Sequence, residues 1–167
     1  MRNLLYLASQ SPRRRELLMQ IGWVPQLLSV EVDETPHVAE EPGAYVLRLA
    51  REKALAGQAL LEPGVPVLAA DTAVVMKAHI LGKPQDREDG LAMLGLLAGA
   101  SHLVYTGVAL AAAGLESRLS VSEVTFREIS KAEAEAYWRS GEPRDKAGGY
   151  AVQGNSNRQK LHAMAHL

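Results

Sequence analysis

The sequence contains no cysteine, so disulfide bonds, thiolate metal ligands and a cysteine nucleophile are all excluded. A cysteine-free chain also fits a reducing cytosol. Aromatic residues make up only 5% of the 167 residues, and the formal net charge is −1. We therefore expect no nucleic-acid partner, because nucleic-acid surfaces combine a positive field with aromatic stacking.

The chain also lacks long apolar runs, internal repeats and low-complexity linkers. No run approaches the ~20 apolar residues that a membrane span needs, and the segment before Ser9 is too short for a signal peptide. We expect no membrane partner. With 47% apolar and 22% charged residues, the chain is typical of one globular domain with a substantial core.

The first pattern that is present is a strand-to-helix turn near the N-terminus. The apolar run 4–7 is typical of a strand, and Ser11 followed by Pro12 is typical of a helix start. Three arginines, 13–15, then occupy the first helical turn, where acidic residues are preferred. A solvated basic run is one interpretation. We favour an anion site in which hydroxyls such as that of Ser9, free N–H groups and guanidinium groups bind a phosphate chain.

The helical phase supports the anion interpretation. Leu17, Leu18 and Ile21 define the expected core stripe of this helix, with Arg14 in the middle of the stripe and Arg13 on its flank. An inward-facing arginine at the mouth of a helix is expected to line a cleft.

One acidic residue interrupts the most apolar segment of the chain. Residues 65–76 form a nearly continuous apolar run rich in β-branched residues, which predicts a buried central strand. Asp71 lies within it, and a charge there is costly unless it is paired, hydrogen-bonded or bound to a metal. Asp71 is either a structural aspartate at a strand end or a catalytic base or metal ligand.

The remaining segments alternate helices and strands early and add antiparallel strands later. The predicted elements are a weak strand at 30–32, a helix at about 44–61, a return strand and turn at 79–84, a helix capped by Asp86 or Asp89 that ends near 97, a strand at 103–111, a long antiparallel strand at 118–127, and a helix begun by the capping box 130–133. This order predicts an α/β fold with a mixed central sheet flanked by helices and one cleft.

Several polar residues stand out as phosphate-compatible cations and donors or as isolated carboxylates. They are Ser9, Ser11, Arg13, Arg14, Glu34, Lys53, Asp71, Lys83, Lys146 and Gln153. Lys53 continues an apolar helix face, so it either reaches the rim or serves the cleft. The loop 142–154 is either a plain turn or a close backbone approach to a ligand.

Two carboxylates, Glu34 and Asp71, among these cations indicate a hard metal ion shared with a polyphosphate. The sequence has no Walker A, GxGxxG or HExxH pattern. The reaction class that fits is hydrolytic attack on a phosphate, in which a carboxylate activates water while metal, lysine and arginine stabilise developing charge.

Seven segments, in chain order, closely resemble the motifs of the Maf family of nucleoside triphosphate pyrophosphatases, first associated with septum formation. They are Leu7-Ala8-Ser9-Gln10-Ser11-Pro12-Arg13-Arg14, Val32-Asp33-Glu34, Glu52-Lys53-Ala54, Ala70-Asp71-Thr72, Leu81-Gly82-Lys83-Pro84, Thr106-Gly107-Val108 and Asp145-Lys146-Ala147-Gly148-Gly149-Tyr150-Ala151-Val152-Gln153-Gly154. The resemblance covers roughly residues 3 to 154.

The resemblance implies a cytoplasmic enzyme, often a homodimer, with two lobes around one deep cleft, as in inosine triphosphatases. It implies dependence on a divalent metal cation (Mg²⁺ or Mn²⁺) and cleavage of a nucleoside triphosphate to the monophosphate and pyrophosphate, as house-cleaning of nucleotide pools. The triplet 70–72 looks like that of the branch that acts on dTTP and UTP. From the resemblance we expect catalytic roles for Asp71 (as proton acceptor), Lys53, Lys83 and Glu34, and a metal held by Glu34 and Asp71. We expect the substrate to be bound by Ser9, Ser11, Arg13, Arg14, Thr72, Lys146 and Gln153. Of these, Arg13, Thr72 and Gln153 are tied to base selection.

The chain departs from the family pattern near its end. We expect residues 1–154 to form one catalytic domain and 155–167 to be an atypical tail, where the family has a strand, a turn, a valine-rich segment and a final helix. An altered tail leaves open a non-catalytic nucleotide-binding or interaction protein that affects septum formation.

Overall fold

The structure, a computed structural model, describes residues 4–151 and the backbone of 165–166. In chain order the elements are β1 (Tyr6–Leu7), α1 (Pro12–Gln20), β2 (Gln26–Leu27), α2 (Pro42–Gln58), β3 (Val67–Met76), β4 (His79–Leu81), α3 (Arg87–Leu97), β5 (Ser101–Ala111), β6 (Leu115–Phe126), α4 (Lys131–Arg139) and β7 (Ala165–His166). None of the helices in this part of the chain is long and apolar enough to span a membrane.

The strands form one mixed sheet in the order β2-β1-β3-β5-β6-β7, with β4 paired to β3. Strand β1 runs parallel to both β2 and β3, whereas β4 runs antiparallel to β3 and β7 antiparallel to β6. The α/β class with a mixed sheet is thereby confirmed. The chain divides into two compact units: unit 1 comprises residues up to 71 together with 106–120, and unit 2 comprises 72–105 and the residues from 121 onward. The single deep cleft that the resemblance implies stays a prediction.

One core cluster of unit 1 consists of small side chains. Alanines and one valine pack together where α2 meets the strands: Ala8, Ala50, Ala54, Val67, Ala69, Ala109 and Ala111. A Cβ added to Gly107 of β5 would lie 2.4 Å from the carbonyl oxygen of Val46 in α2. The helix backbone therefore lies unusually close to the strand, and only glycine is tolerated at that point.

Unit 2 has a larger, partly aromatic core. Its buried members include Val74, Leu97, Phe126, Tyr137 and Tyr150. The helix α4 begins with the predicted capping box, in which the Ser130 hydroxyl accepts from the backbone N–H of Glu133 and the Glu133 carboxylate accepts from that of Ser130. Helix α3 is capped by Asp86, as one of the two predicted alternatives.

The predicted core stripe of α1 is wrong. No residue of α1 is buried, and Leu17 and Ile21 are well exposed. The inward direction is occupied instead by Arg14, whose guanidinium group is hydrogen-bonded within unit 1. The inward direction predicted for Arg14 agrees with these hydrogen bonds, whereas the apolar stripe predicted beside it is wrong.

The predicted strand at 30–32 is also wrong. The strand after α1 forms earlier, at Gln26–Leu27, because these residues pair in register with Tyr6 and Leu7. Val30 packs against the small-residue core of unit 1 without joining the sheet. Pairing with β1 outweighed the β-propensity of the valines.

Candidate active site

Arg14 joins the N-terminal turn of α1 to the central strand. Its Nη1 atom donates hydrogen bonds to the carbonyl oxygen of Ala70 (2.8 Å) and to the Ser9 hydroxyl (3.1 Å). The same hydroxyl accepts from the backbone N–H of Ser11 at 3.2 Å. Burial lowers the pKa of Arg14, while the charges of Asp71 and Glu34 raise it by a smaller amount. The guanidinium group is therefore fixed within electrostatic range of both carboxylates.

Lys53 bridges the two carboxylates that the sequence singled out. Its Nζ atom lies 2.7 Å from Asp71 Oδ1 and 2.7 Å from Glu34 Oε1. The side chains of Lys53 and Asp71 are only 13% and 14% exposed, whereas that of Glu34 is 52% exposed. Of the two interpretations of Lys53, the structure supports the one that turns it toward the acids, and Asp71 is stabilised by pairing.

The charge state of Lys53 is set by these partners. Burial lowers its pKa, but hydrogen bonds from Lys53 to Asp71 and Glu34 raise it by more, so the net shift is upward. Lys53 is therefore a cation at neutral pH and cannot act as a base. Together with Arg14 it places two positive charges beside two negative ones.

The loop that carries Glu34 is held by residues that sequence reasoning missed. Tyr45 of α2 donates a hydrogen bond of 2.8 Å from its hydroxyl to the Glu34 carbonyl oxygen. Burial, followed by the charges of Asp71 and Glu34, raises the pKa of Tyr45 to about 12. Arg48, one helical turn further, pairs with Glu40 on the same loop. The spacing of Tyr45 and Arg48 on one helix face, after an acidic loop, was the available signal.

Ser11 and Arg13 take other positions in unit 1. The Ser11 side chain makes no capping hydrogen bond, although Pro12 begins the helix as predicted. Ser11 and Ser9 line an open cavity of about 290 Å³ beside α1. Arg13 forms an exposed ion pair with Glu16 at 3.3 Å, one turn along the helix. The structure therefore brings Ser9, but not Arg13, into hydrogen-bond contact with Arg14.

The other predicted residues belong to unit 2. Lys146 donates to Asp145 at 3.0 Å and to a backbone carbonyl at 2.9 Å. The Asp145 pKa is lowered mainly by this hydrogen bond and to a smaller extent by the charge of Lys83. The turn that contains Lys83 is hydrogen-bonded to the loop that contains Lys146, because the Gly148 N–H donates to the carbonyl oxygen of residue 82 at 3.0 Å. Thr72 directly follows Asp71 and is half-buried, and Gln153 lies outside the described residues.

The two carboxylates of this site could supply part of a divalent metal site. In the part of the chain that the structure describes, no three Asp, Glu or His side chains are grouped closely enough to hold an ion. Glu34 and Asp71 still fit Mg²⁺ or Mn²⁺, since such ions take one or two carboxylates and complete their shell with phosphate oxygens and water. The donor chemistry of the two residues is therefore compatible with the metal that the sequence predicts.

The family described as Maf-like protein matches residues 4–162 of the sequence. The chain belongs to the Maf family. The dTTP/UTP pyrophosphatase of Saccharophagus degradans is 57% identical over 154 residues, covering 90% of this chain and 73% of that protein. The dTTP/UTP pyrophosphatase of Alkalilimnicola ehrlichii is 52% identical over 157 residues, covering 91% and 78%.

A more distant likeness is found among solved structures. The nucleoside-triphosphatase / dITP/XTP pyrophosphatase of Mycobacterium abscessus aligns with a TM-score of 0.46 and 17% identity, covering 75% of this chain and 73% of that one. Assignment to the Maf family therefore depends on the sequence comparisons, which confirm the resemblance carried by the motifs.

Proposed function

We propose that this Maf-family chain hydrolyses dTTP and UTP to the nucleoside monophosphate and pyrophosphate. The observation that carries the proposal is the Lys53 ammonium group, 2.7 Å from each of the Asp71 and Glu34 carboxylates. Arg14 is fixed on the carbonyl group directly before Asp71. Cations held in a partly buried site can stabilise the negative charge that develops on phosphate oxygens during anhydride cleavage.

The proposed roles follow from charge and position. Asp71 takes the proton of the attacking water, and Arg14, Ser9 and Lys53 bind phosphate oxygens. Glu34 orients Lys53 and, with Asp71, holds Mg²⁺ or Mn²⁺, which when bound polarises the phosphate oxygens. The predicted catalytic role of Lys83, and the substrate-binding roles of Ser11, Arg13, Thr72, Lys146 and Gln153, remain parts of the proposal.

The wider setting is also proposed. We place the activity in the cytoplasm, where it removes unwanted nucleotides from the pool. A homodimer is expected and is tested by light scattering of the purified protein. The division into a catalytic domain at 1–154 and an atypical tail at 155–167 stays a prediction.

The test is a nucleotide panel with pyrophosphate and monophosphate as the measured products. The protein is incubated with dTTP, UTP and 7-methyl-GTP, with Mg²⁺ or Mn²⁺, and we expect equal amounts of both products from the first two nucleotides. Asp71→Asn should abolish turnover while leaving the fold intact, since Lys53 keeps its ion pair with Glu34. Glu116→Gln changes an exposed carboxylate on β6 and serves as the matched control.

Two results would contradict the proposal. Absence of pyrophosphate release from every nucleotide excludes the enzyme activity. If nucleotides then still raise the unfolding temperature, the non-catalytic nucleotide-binding alternative is favoured. Full activity of Asp71→Asn removes that residue from its role as proton acceptor.

A further inference from the structure

The loop 33–40, here called the Glu34 loop, is tied to helix α2 by a two-pronged ion pair. Arg48 Nε lies 2.6 Å from Glu40 Oε1, and Arg48 Nη2 lies 2.8 Å from Glu40 Oε2. The two side chains are only 18% and 9% exposed. This geometry is the strong, directional form of an arginine–carboxylate contact. Hydrogen bonding from Arg48 lowers the pKa of Glu40 to about 2, so the pair stays charged throughout the neutral range.

Arg48 and Glu40 also hold the backbone of the Glu34 loop. Arg48 Nη2 donates to the Thr35 carbonyl oxygen at 3.1 Å, and the Glu40 carboxylate accepts from the His37 N–H at 2.9 Å. Tyr45 adds its hydroxyl bond of 2.8 Å to the Glu34 carbonyl oxygen. Backbone groups at three positions of the loop are therefore fixed by side chains of α2 or by the ion pair itself.

These contacts bear on Glu34, the half-exposed carboxylate that pairs with Lys53. The carboxylate of Glu34 is 52% exposed, so packing does little to fix it, yet it lies 2.7 Å from Lys53. Lys53 is carried by the same helix as Tyr45 and Arg48. Fixing the loop to α2 therefore sets the separation between Glu34 and Lys53 before any ligand binds, which reduces the ordering that catalysis must supply.

We propose that Arg48 and Tyr45 are positioning residues that hold the Glu34 loop so that the Glu34 carboxylate meets Lys53 beside Asp71. The inference rests on the proposed function for the activity that it affects. Neither Arg48 nor Tyr45 needs to touch the nucleotide. Their contribution passes through Glu34.

The first experiment is a double-mutant cycle on pyrophosphate release. Arg48→Gln and Tyr45→Phe are each made in the parent and in a Glu34→Gln background. In the parent we expect each change to lower kcat/KM about tenfold, the effect of losing one strong hydrogen bond. In the Glu34→Gln background the same changes should have almost no further effect, because the group through which they act is already absent.

Controls separate positioning from general stability. Arg51→Gln removes another arginine of α2, whose partner is Ser117 away from the loop, and should leave kcat/KM within about twofold. Arg48→Lys keeps the charge but loses the planar fork, so it should recover only part of the activity. Equal losses in both backgrounds, or an equal loss in Arg51→Gln, would overturn the positioning role.

The second experiment does not depend on activity. Hydrogen–deuterium exchange followed by mass spectrometry is measured on the parent, Arg48→Gln, Tyr45→Phe and Arg51→Gln. We expect faster exchange at 33–40 in Arg48→Gln and Tyr45→Phe but not in Arg51→Gln, and unchanged exchange in α2. Unchanged exchange at 33–40 would overturn the proposal even if the parent is an active enzyme. If the parent releases no pyrophosphate, the proposed function fails, and the exchange result still decides whether the loop is held by these residues.

Discussion

The guanidinium group of Arg14 donates a hydrogen bond of 2.8 Å to the carbonyl oxygen of Ala70, the residue directly before Asp71. A first-turn arginine is thereby fixed to the backbone of the strand that carries the proposed proton acceptor. The Ser9 hydroxyl shares the same guanidinium nitrogen at 3.1 Å. The N-terminal motif and the central strand motif, which are far apart in sequence, therefore form one structural unit.

Arg14→Lys tests this connection. Lysine keeps the positive charge, but it lacks the rigid fork and its ammonium group is a point charge. We expect kcat/KM for dTTP to fall by about one to two orders of magnitude, as for the loss of one or two charge-assisted hydrogen bonds. The measurement is steady-state pyrophosphate release, with the exposed Arg118→Lys as control. Parent-like activity in Arg14→Lys would show that charge alone suffices.

Lys53→Met tests the bridge between the carboxylates. Removing the cation leaves Asp71 without its ion-pair partner in a partly buried position, so we expect a loss of about 3 kcal/mol in the free energy of unfolding at pH 7. Lys53→Met combined with Asp71→Asn should be less destabilised than Lys53→Met alone, because the unpaired charge is gone. Urea unfolding measures both variants. Equal stability of the single variant and the parent would contradict the assigned pairing.

We expect His102 to make the stability of the protein depend on pH. Its Nε2 atom lies 2.5 Å from the Tyr150 hydroxyl, and its buried Nδ1 has no hydrogen-bond partner among the described residues. Burial lowers the pKa of His102, so the folded state resists protonation. As pH falls below about 6.5, the unfolded chain binds a proton that the folded chain does not, and the free energy of unfolding decreases until the lowered folded-state pKa is passed.

The pH prediction is measured by urea unfolding between pH 7.5 and about 5, a window that spans the ordinary histidine pKa. His102→Leu should show a shallower loss of stability toward acid than the parent. His79→Gln, a change at an exposed histidine on β4, should keep the slope of the parent. Identical slopes for all three proteins would show that His102 does not contribute.

Gly107→Ala tests the close approach of α2 to β5. The new Cβ would lie 2.4 Å from the Val46 carbonyl oxygen, so helix and strand must separate. We expect a loss of about 1–3 kcal/mol in the free energy of unfolding, typical of overpacking. Gly114→Ala is the matched control, since no atom lies within 4 Å of its added Cβ. Thermal unfolding of the two variants gives the comparison, and equal unfolding temperatures would contradict the packing described.

Local sequence signals predicted much of the fold. The apolar run at 65–76 became β3, and the capping box at 130–133 began α4 as predicted, because both depend on neighbouring residues. The strand predicted at 30–32 failed because its placement depends on pairing with Tyr6 and Leu7, which periodicity cannot show. The stripe of α1 failed for a similar reason, since a polar contact replaced the apolar one.

The sequence predicted which residues take part in the candidate site, but not which of them contact one another. Isolated charges in apolar settings pointed to Asp71 and Lys53, because such charges are costly unless they are paired. The sequence could not show that Lys53 would contact both acids, nor that Tyr45 and Arg48 would hold the loop before α2. These contacts depend on the path of residues 33–40, which have no regular secondary structure.

The small side chains that pack beneath α2 also bear on which basic side chain fits at position 53. Alanines at positions such as 50 and 109 pack between α2 and the strands. At this separation the four-carbon side chain of lysine reaches from the backbone of α2 to the Asp71 carboxylate. Arginine at position 53 would carry the same charge on a longer side chain that ends in a wider planar group, so we expect it not to reproduce this contact. The close packing of these small apolar side chains therefore favours lysine over arginine at position 53.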